Sequence, residues 1–118
     1  MIVRFLKPDS SGGTPKLTVH KTGKLGFSKG AMDLLNTARN RFARFGFDDQ
    51  DDLLMEVSDA VQESSFPISK AGEYDYINAK TMLEDLGIDY TGQNTVIFDL
   101  KRTADKTTFR LKQRIIKK

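Results

Sequence analysis

The sequence predicts a mostly β protein of the α+β class. Two tandem β-β-α-β-β units pack as one pseudo-twofold barrel or sandwich with two short helices. Three observations carry this expectation. First, the chain matches itself when shifted by 49 positions, which sets Gly23 on Gly72, Lys21 on Lys70 and "LTVHKTGKLGF" on "FPISKAGEYDY". Second, the apolar positions around that glycine agree without a gap: Leu17 on Phe66, Val19 on Ile68, Leu25 on Tyr74 and Phe27 on Tyr76. Third, most of the chain alternates apolar and polar residues at the period of two that a half-buried strand requires, and only two short stretches change to helical spacing. Units this small cannot bury much surface alone, so a repeat of this kind implies one shared core.

The elements follow in order. Residues 2–6, "IVRFL", read as a short strand, and "KPDSSGGTP" after them as a loose linker rich in turn residues, so residues 1–15 stand outside the repeat. The first unit, residues 16–59, opens with the alternating "KLTVHK", turns at Thr22-Gly23 and returns as "KLGF". Glycine accepts a positive φ there without steric cost. Ser28 is placed to cap a two-turn helix whose face is Ala31, Leu34 and Leu35, and Asn36 to stop it. "RFARFGF" puts Ala43, Phe45 and Phe47 on one side, "DDQDD" turns, and "LLMEV" puts Leu53, Met55 and Val57 on one side.

The second unit, residues 65–118, repeats this order after the linker "SDAVQESS". Pro67 argues for an edge position in its first strand, because proline lacks the donor N–H. The second helix presents Met82, Leu83 and Leu86 on one face, closes at Gly87 and is expected to be two residues longer than the first. "TVIFDL" and "TTFRLKQRII" are strands flanking the turn "KRTADK".

Composition narrows the function. The chain has 118 residues, no cysteine, one histidine and a net charge of +3. Without cysteine there is no disulfide, no thiolate metal site and no cysteine nucleophile. No apolar run reaches the ~20 residues that span a bilayer, and the start lacks a signal-peptide core, so a cytoplasmic home is expected. His20 sits mid-strand on the polar face with no second metal ligand near it, and reads as a surface histidine. Asp48, Asp49, Asp51 and Asp52 invite a Ca²⁺ loop, but the sixth and twelfth positions hold Leu53 and Asp59 instead of Gly and Glu. The run reads as a solvated hairpin tip that repels phosphates. No catalytic constellation, nucleophile elbow or phosphate loop is present, so the expectation is a protein that is not an enzyme and carries no cofactor and no metal.

The charge is uneven. Residues 16–59 balance seven Lys/Arg against seven Asp/Glu, while residues 65–118 carry ten against seven. Lys21, Lys24, Lys29, Arg39, Arg41 and Arg44 gather around the first hairpin and the strand after its helix. Lys101, Arg102, Lys106, Arg110, Lys112 and Arg114 line the last hairpin, with Arg110, Lys112 and Arg114 on one strand face opposite Phe109 and Leu111. Cations in a row on a β face can follow a phosphate backbone. Tyr74, Tyr76 and Tyr90 have rings that can stack on bases, although the repeat puts Tyr74 and Tyr76 at core positions.

Within the first unit, Gly23, Lys24, Leu25, Phe27, Lys29 and Leu35 fill a pattern of glycine, basic residue, alternating apolar residues, lysine and a short helix ending in leucine. That pattern resembles the AbrB-type swapped-hairpin transcription factors and antitoxins over residues 22–57, with a second copy in residues 65–117. Ser28 stands where that family has Pro, Met32 where it often has Arg, Asn36 where it has Gly, and Glu73 where the second unit would have its basic residue. The resemblance implies a fold in which the family's homodimer is mimicked inside one chain. It also implies duplex DNA binding through basic residues near hairpin and helix, a role that Lys24 and Lys29 carry over. Two function classes result: a nucleic-acid-binding module for DNA or RNA, and a structural or protein-interaction module that forms a homodimer through β edge strands.

Overall fold

The computed structural model describes residues 15–116, so the expected strand at residues 2–6 and most of the linker lie outside the described residues. The elements are β1 (Lys16–Val19), β2 (Lys24–Phe27), α1 (Lys29–Leu35), β3 (Phe42–Phe47), β4 (Leu53–Ser58), β5 (Phe66–Pro67), β6 (Ser69–Ala71), β7 (Tyr74–Asn78), α2 (Lys80–Asp85), β8 (Thr95–Arg102) and β9 (Thr108–Ile116). The fold is therefore mostly β with two short helices. All pairings are antiparallel, in the order β5-β3-β4-β9-β8-β1-β2-β7-β6. The two ends of this order, β5 and β6, are separated in the chain by Ile68 alone. The sheet thus curls into a nearly closed barrel, its seam crossed by a single bent segment.

The inward residues make one core, with Leu17, Leu25, Leu35, Met55, Ile77, Leu83 and Phe109 fully enclosed. Among the described residues only Phe27, Phe98 and Phe109 of the aromatics are buried, so aliphatic side chains supply most of the interior. Strand alternation sets this directly: β1 and β2 each bury every second residue, Leu17, Val19, Leu25 and Phe27.

Both helices end as their residues dictate. The Ser28 hydroxyl accepts the N–H of Ala31 at 3.1 Å and also that of Lys16 at 3.0 Å, so one side chain caps α1 and holds the start of β1. Asn36 takes the left-handed conformation at φ 51°, and the N–H groups of Asn36 and Thr37 close back on Asp33 and Met32. Gly87, at φ 72°, ends α2 in the same way, with Ile88 N–H on Leu83 O. α2 spans 6 residues against 7 in α1, so the longer second helix expected from the sequence is not found.

The two hairpins differ, and the difference has a consequence. In the first, His20 N–H bonds Lys24 O and Gly23 N–H bonds His20 O, giving a three-residue loop closed by Gly23 at φ 85°. In the second, Ala71 pairs directly with Tyr74 across the two residues Gly72 and Glu73. Because strand faces alternate every residue, the loop difference changes which residues point inward. Asp75, Ile77 and Ala79 are buried, while Tyr74 is 55% exposed and Tyr76 is half-buried. The gap-free match with Leu25 and Phe27 therefore places the tyrosines wrongly: they face outward.

Candidate nucleic-acid interface

The basic residues singled out by sequence fall into three places. Arg110, Lys112 and Arg114 stand on the outer face of β9, and the β8–β9 register sets Lys101 opposite Arg110, Asp99 opposite Lys112 and Ile97 opposite Arg114. Arg102 ends β8, and Lys106 sits in the turn beyond it. On the next strand over, Lys16 of β1 pairs with Asp99. This face thus joins cations from three strands.

Carboxylates are woven into it. Arg114 grips Asp99 with two hydrogen bonds, Nε to Oδ2 at 2.8 Å and a terminal nitrogen to Oδ1 at 3.2 Å. Arg110 reaches Asp52 at 3.4 Å and Asp48 at 3.8 Å. Antiparallel pairing of β4 with β9 is the cause, since Leu54 lies opposite Arg110 and the acidic turn precedes β4. The sequence reading kept the acidic tip apart from any phosphate-binding face; the fold sets it beside the basic strand. Asp48 itself closes the turn, accepting the N–H groups of Gln50 and Asp52 at 2.9 Å each. Its carboxyl is held below the usual range, chiefly by the Asp52 N–H. Lys101, Arg102, Lys106 and Lys112 form no ion pair among the described residues.

Arg39, Arg41 and Arg44 form a different group with a different role. Arg44 pairs across the sheet with Glu56, and Arg39 with Asp59 at 3.6 Å on the surface. Arg41 is half-buried at the seam. Its guanidinium donates to Thr37 O at 2.9 Å, Ile68 O at 2.7 Å and Asp75 Oδ1 at 3.1 Å. Burial pushes the Asp75 carboxyl up, but hydrogen bonds from Thr37 and Arg41 and the charges of Arg41 and Lys70 outweigh it, leaving the group below its ordinary value. Arg41 therefore ties α1's exit to the seam of the barrel while its side chain stays 29% exposed.

The third place is the first hairpin. Lys21 is exposed in its turn, Lys24 lies on the outer face of β2, and Lys29 opens α1. The Lys24 ammonium stands 4.7 Å from the centre of the Tyr76 ring, a cation–π contact from the neighbouring strand. His20 faces outward as expected; its Nε2 would lie 2.4 Å from a Cβ added at Gly26, so the imidazole lies over that glycine. Tyr74 and Tyr76, which the repeat assigns to the core, lie on this surface instead, because a one-residue change in loop length is invisible to an ungapped match.

Among the described residues no cluster of His, Asp and Glu is arranged to hold a metal ion, and no helix is long and apolar enough to cross a membrane. Comparison of the chain with protein-family models, with curated proteins and with solved structures finds no match.

Proposed function

We propose that the chain is a non-enzymatic nucleic-acid-binding module, a DNA-binding regulator in its most specific form, that contacts phosphates through the basic residues of the β8–β9 hairpin. One observation carries the reading. Lys101 and Lys112 stand on neighbouring outward positions, Arg102 and Lys106 follow at the hairpin end, and none of the four is ion-paired among the described residues. Arg110 and Arg114 add to the field but are largely neutralised by Asp48, Asp52 and Asp99.

The same proposal reads the barrel as two related units, residues 16–59 and 65–118. Strand pairing supports it. Exchanging β1 with the β5–β6 segment, β2 with β7, β3 with β8 and β4 with β9 turns each strand contact into another that is present. The registers agree as well. Matching Leu17 to Ile68, Leu25 to Asp75, Ala43 to Leu100 and Met55 to Phe109 carries the Leu17–Phe98 pair onto Ile68 and Arg41, which share a 2.8 Å backbone hydrogen bond. In this reading one chain reproduces what AbrB-type proteins build from two.

The test is binding to labelled duplex and single strands across a salt series. Affinity is expected to fall steeply with salt, and Lys101→Gln with Lys112→Gln to lower the slope of log K against log salt by about two. A flat salt response, or no binding at low salt, rejects the proposal.

Self-association is the second reading, favoured by a free edge on β9. Val57 N–H bonds Thr107 O, so odd-numbered residues of β9 direct their backbone groups toward β4. β4 ends its pairing at Arg110, which leaves Gln113 and Ile115 without a strand partner on that side among the described residues. Antiparallel pairing of two such edges about Gln113 sets Lys112 against Arg114 of the second copy, a like-charge arrangement that opposes it. Sedimentation decides the matter: a monomer at all concentrations removes this reading.

A further inference from the structure

We infer that the outer face of β1, β2 and β7 is a track for one unpaired polynucleotide strand, with His20, Tyr74 and Tyr76 as ring surfaces and Lys21, Lys24 and Lys80 as phosphate contacts. The inference rests on the nucleic-acid reading above and narrows it to a single strand.

The register places these groups on one surface. β1, β2 and β7 are consecutive strands, with Thr18 opposite Gly26 and Gly26 opposite Tyr76. His20 precedes the turn and lies over Gly26, so its ring stands beside Tyr76 across the small residue. Tyr74 is two positions further along the same outward row and 55% exposed. Lys24 reaches across to Tyr76, its ammonium 4.7 Å from the ring centre. Lys80 joins the group through the turn: a Cβ on Gly23 would lie 2.8 Å from Lys80 Cβ, so the lysine packs directly on the hairpin loop. Lys21, Lys24 and Lys80 form no ion pair among the described residues, and of the two acids flanking Tyr74, Glu73 is exposed and Asp75 is buried.

Charge and shape choose the ligand. Three lysines without a carboxylate partner complement phosphates, and three rings on a convex face need base faces to meet them. A duplex presents phosphates but keeps its base faces stacked inside, so it uses the lysines and not the rings. A single strand uses both. At a strand spacing of ~4.8 Å, the width from β1 to β7 suits about two to three nucleotides.

The chain has no Trp and three Tyr, so tyrosine fluorescence reads the site directly. The probes are octathymidylate, octauridylate and a mixed-sequence duplex of eight base pairs, titrated at low salt into the full chain. Single strands are expected to quench the tyrosine signal and to bind at least tenfold more tightly than the duplex. Tyr74→Ala is expected to weaken single-strand binding about tenfold, with Tyr74→Phe restoring it and duplex binding unchanged. The two single strands show whether the sugar is distinguished. Duplex binding that equals single-strand binding, or that depends on Lys101 and Lys112 while Tyr74→Ala has no effect, overturns this inference and leaves the wider reading standing. Absence of binding to all three probes overturns both.

Discussion

At the scale of single residues, two glycines with the same sign of φ carry very different weight. Gly23 is buried at φ 85°, its carbonyl accepts the Ala79 N–H at 3.0 Å, and an added Cβ would press on both Cα and Cβ of Lys80. Gly72, at φ 66°, has open space around it. Gly72→Ala is therefore expected to cost about 1 kcal/mol from the left-handed conformation alone, and Gly23→Ala more than ~2 kcal/mol. Urea unfolding of the two variants checks the ranking; equal losses refute the packing of the turn on α2. Asp75 makes a second residue-level case. Its folded carboxyl titrates below the ordinary value of 3.8, so the unfolded chain binds the proton more readily. The stability it contributes is complete above that value and is lost as the pH falls through the folded pKa. Asp75→Asn is expected to lower stability at neutral pH by roughly 2 kcal/mol, since Arg41 loses its charged partner, and to flatten the fall in stability below about pH 4. Denaturant midpoints at several pH values measure both effects.

At the scale of elements, α1 is the test piece. A 7-residue helix is too short to be stable alone, so its caps and its packing decide whether it forms. Ser28 satisfies an orphan N–H of the helix and the first N–H of β1 with one oxygen. Ser28→Ala is expected to cost about 1–2 kcal/mol, at the upper end for a cap, because two partly buried donors lose their acceptor. A loss under ~0.5 kcal/mol by thermal unfolding rejects the double role. The strand faces supply the corresponding lesson for the candidate site. Arg110, Lys112 and Arg114 share an outward face as their spacing in "FRLKQR" requires, and that part was legible from period two alone. Which acids stand beside them was not, because the neighbours of β9 are fixed by pairing with β4 and β8.

At the scale of the whole molecule, the two halves of the chain have no separate interiors. β2 pairs with β7, β4 with β9, β1 with β8 and β3 with β5, so every sheet contact between the halves is part of one barrel. The chain is expected to unfold in a single cooperative transition, and a fragment of residues 65–118 to lack stable structure by circular dichroism. A folded fragment contradicts the shared core. The closed arrangement also tempers the charge of the second half: the acidic turn of residues 48–52, distant in sequence, is brought against the basic strand, and of the β8–β9 hairpin's cations Lys101, Arg102, Lys106 and Lys112 form no ion pair among the described residues.

The amino-acid sequence by itself determined the local structure. Alternation marked the strands, Ser28, Asn36 and Gly87 marked helix ends, and the lack of cysteine removed disulfides and thiolate chemistry, because each depends on neighbours along the chain or on composition alone. The tertiary structure decided which strands meet, that Arg41 serves the barrel seam, that Arg110 and Arg114 are tied to carboxylates, and that Tyr74 and Tyr76 face outward. These depend on contacts between residues far apart in the chain and on a one-residue difference between two hairpin loops, and antiparallel registry turns such a difference into a change of face.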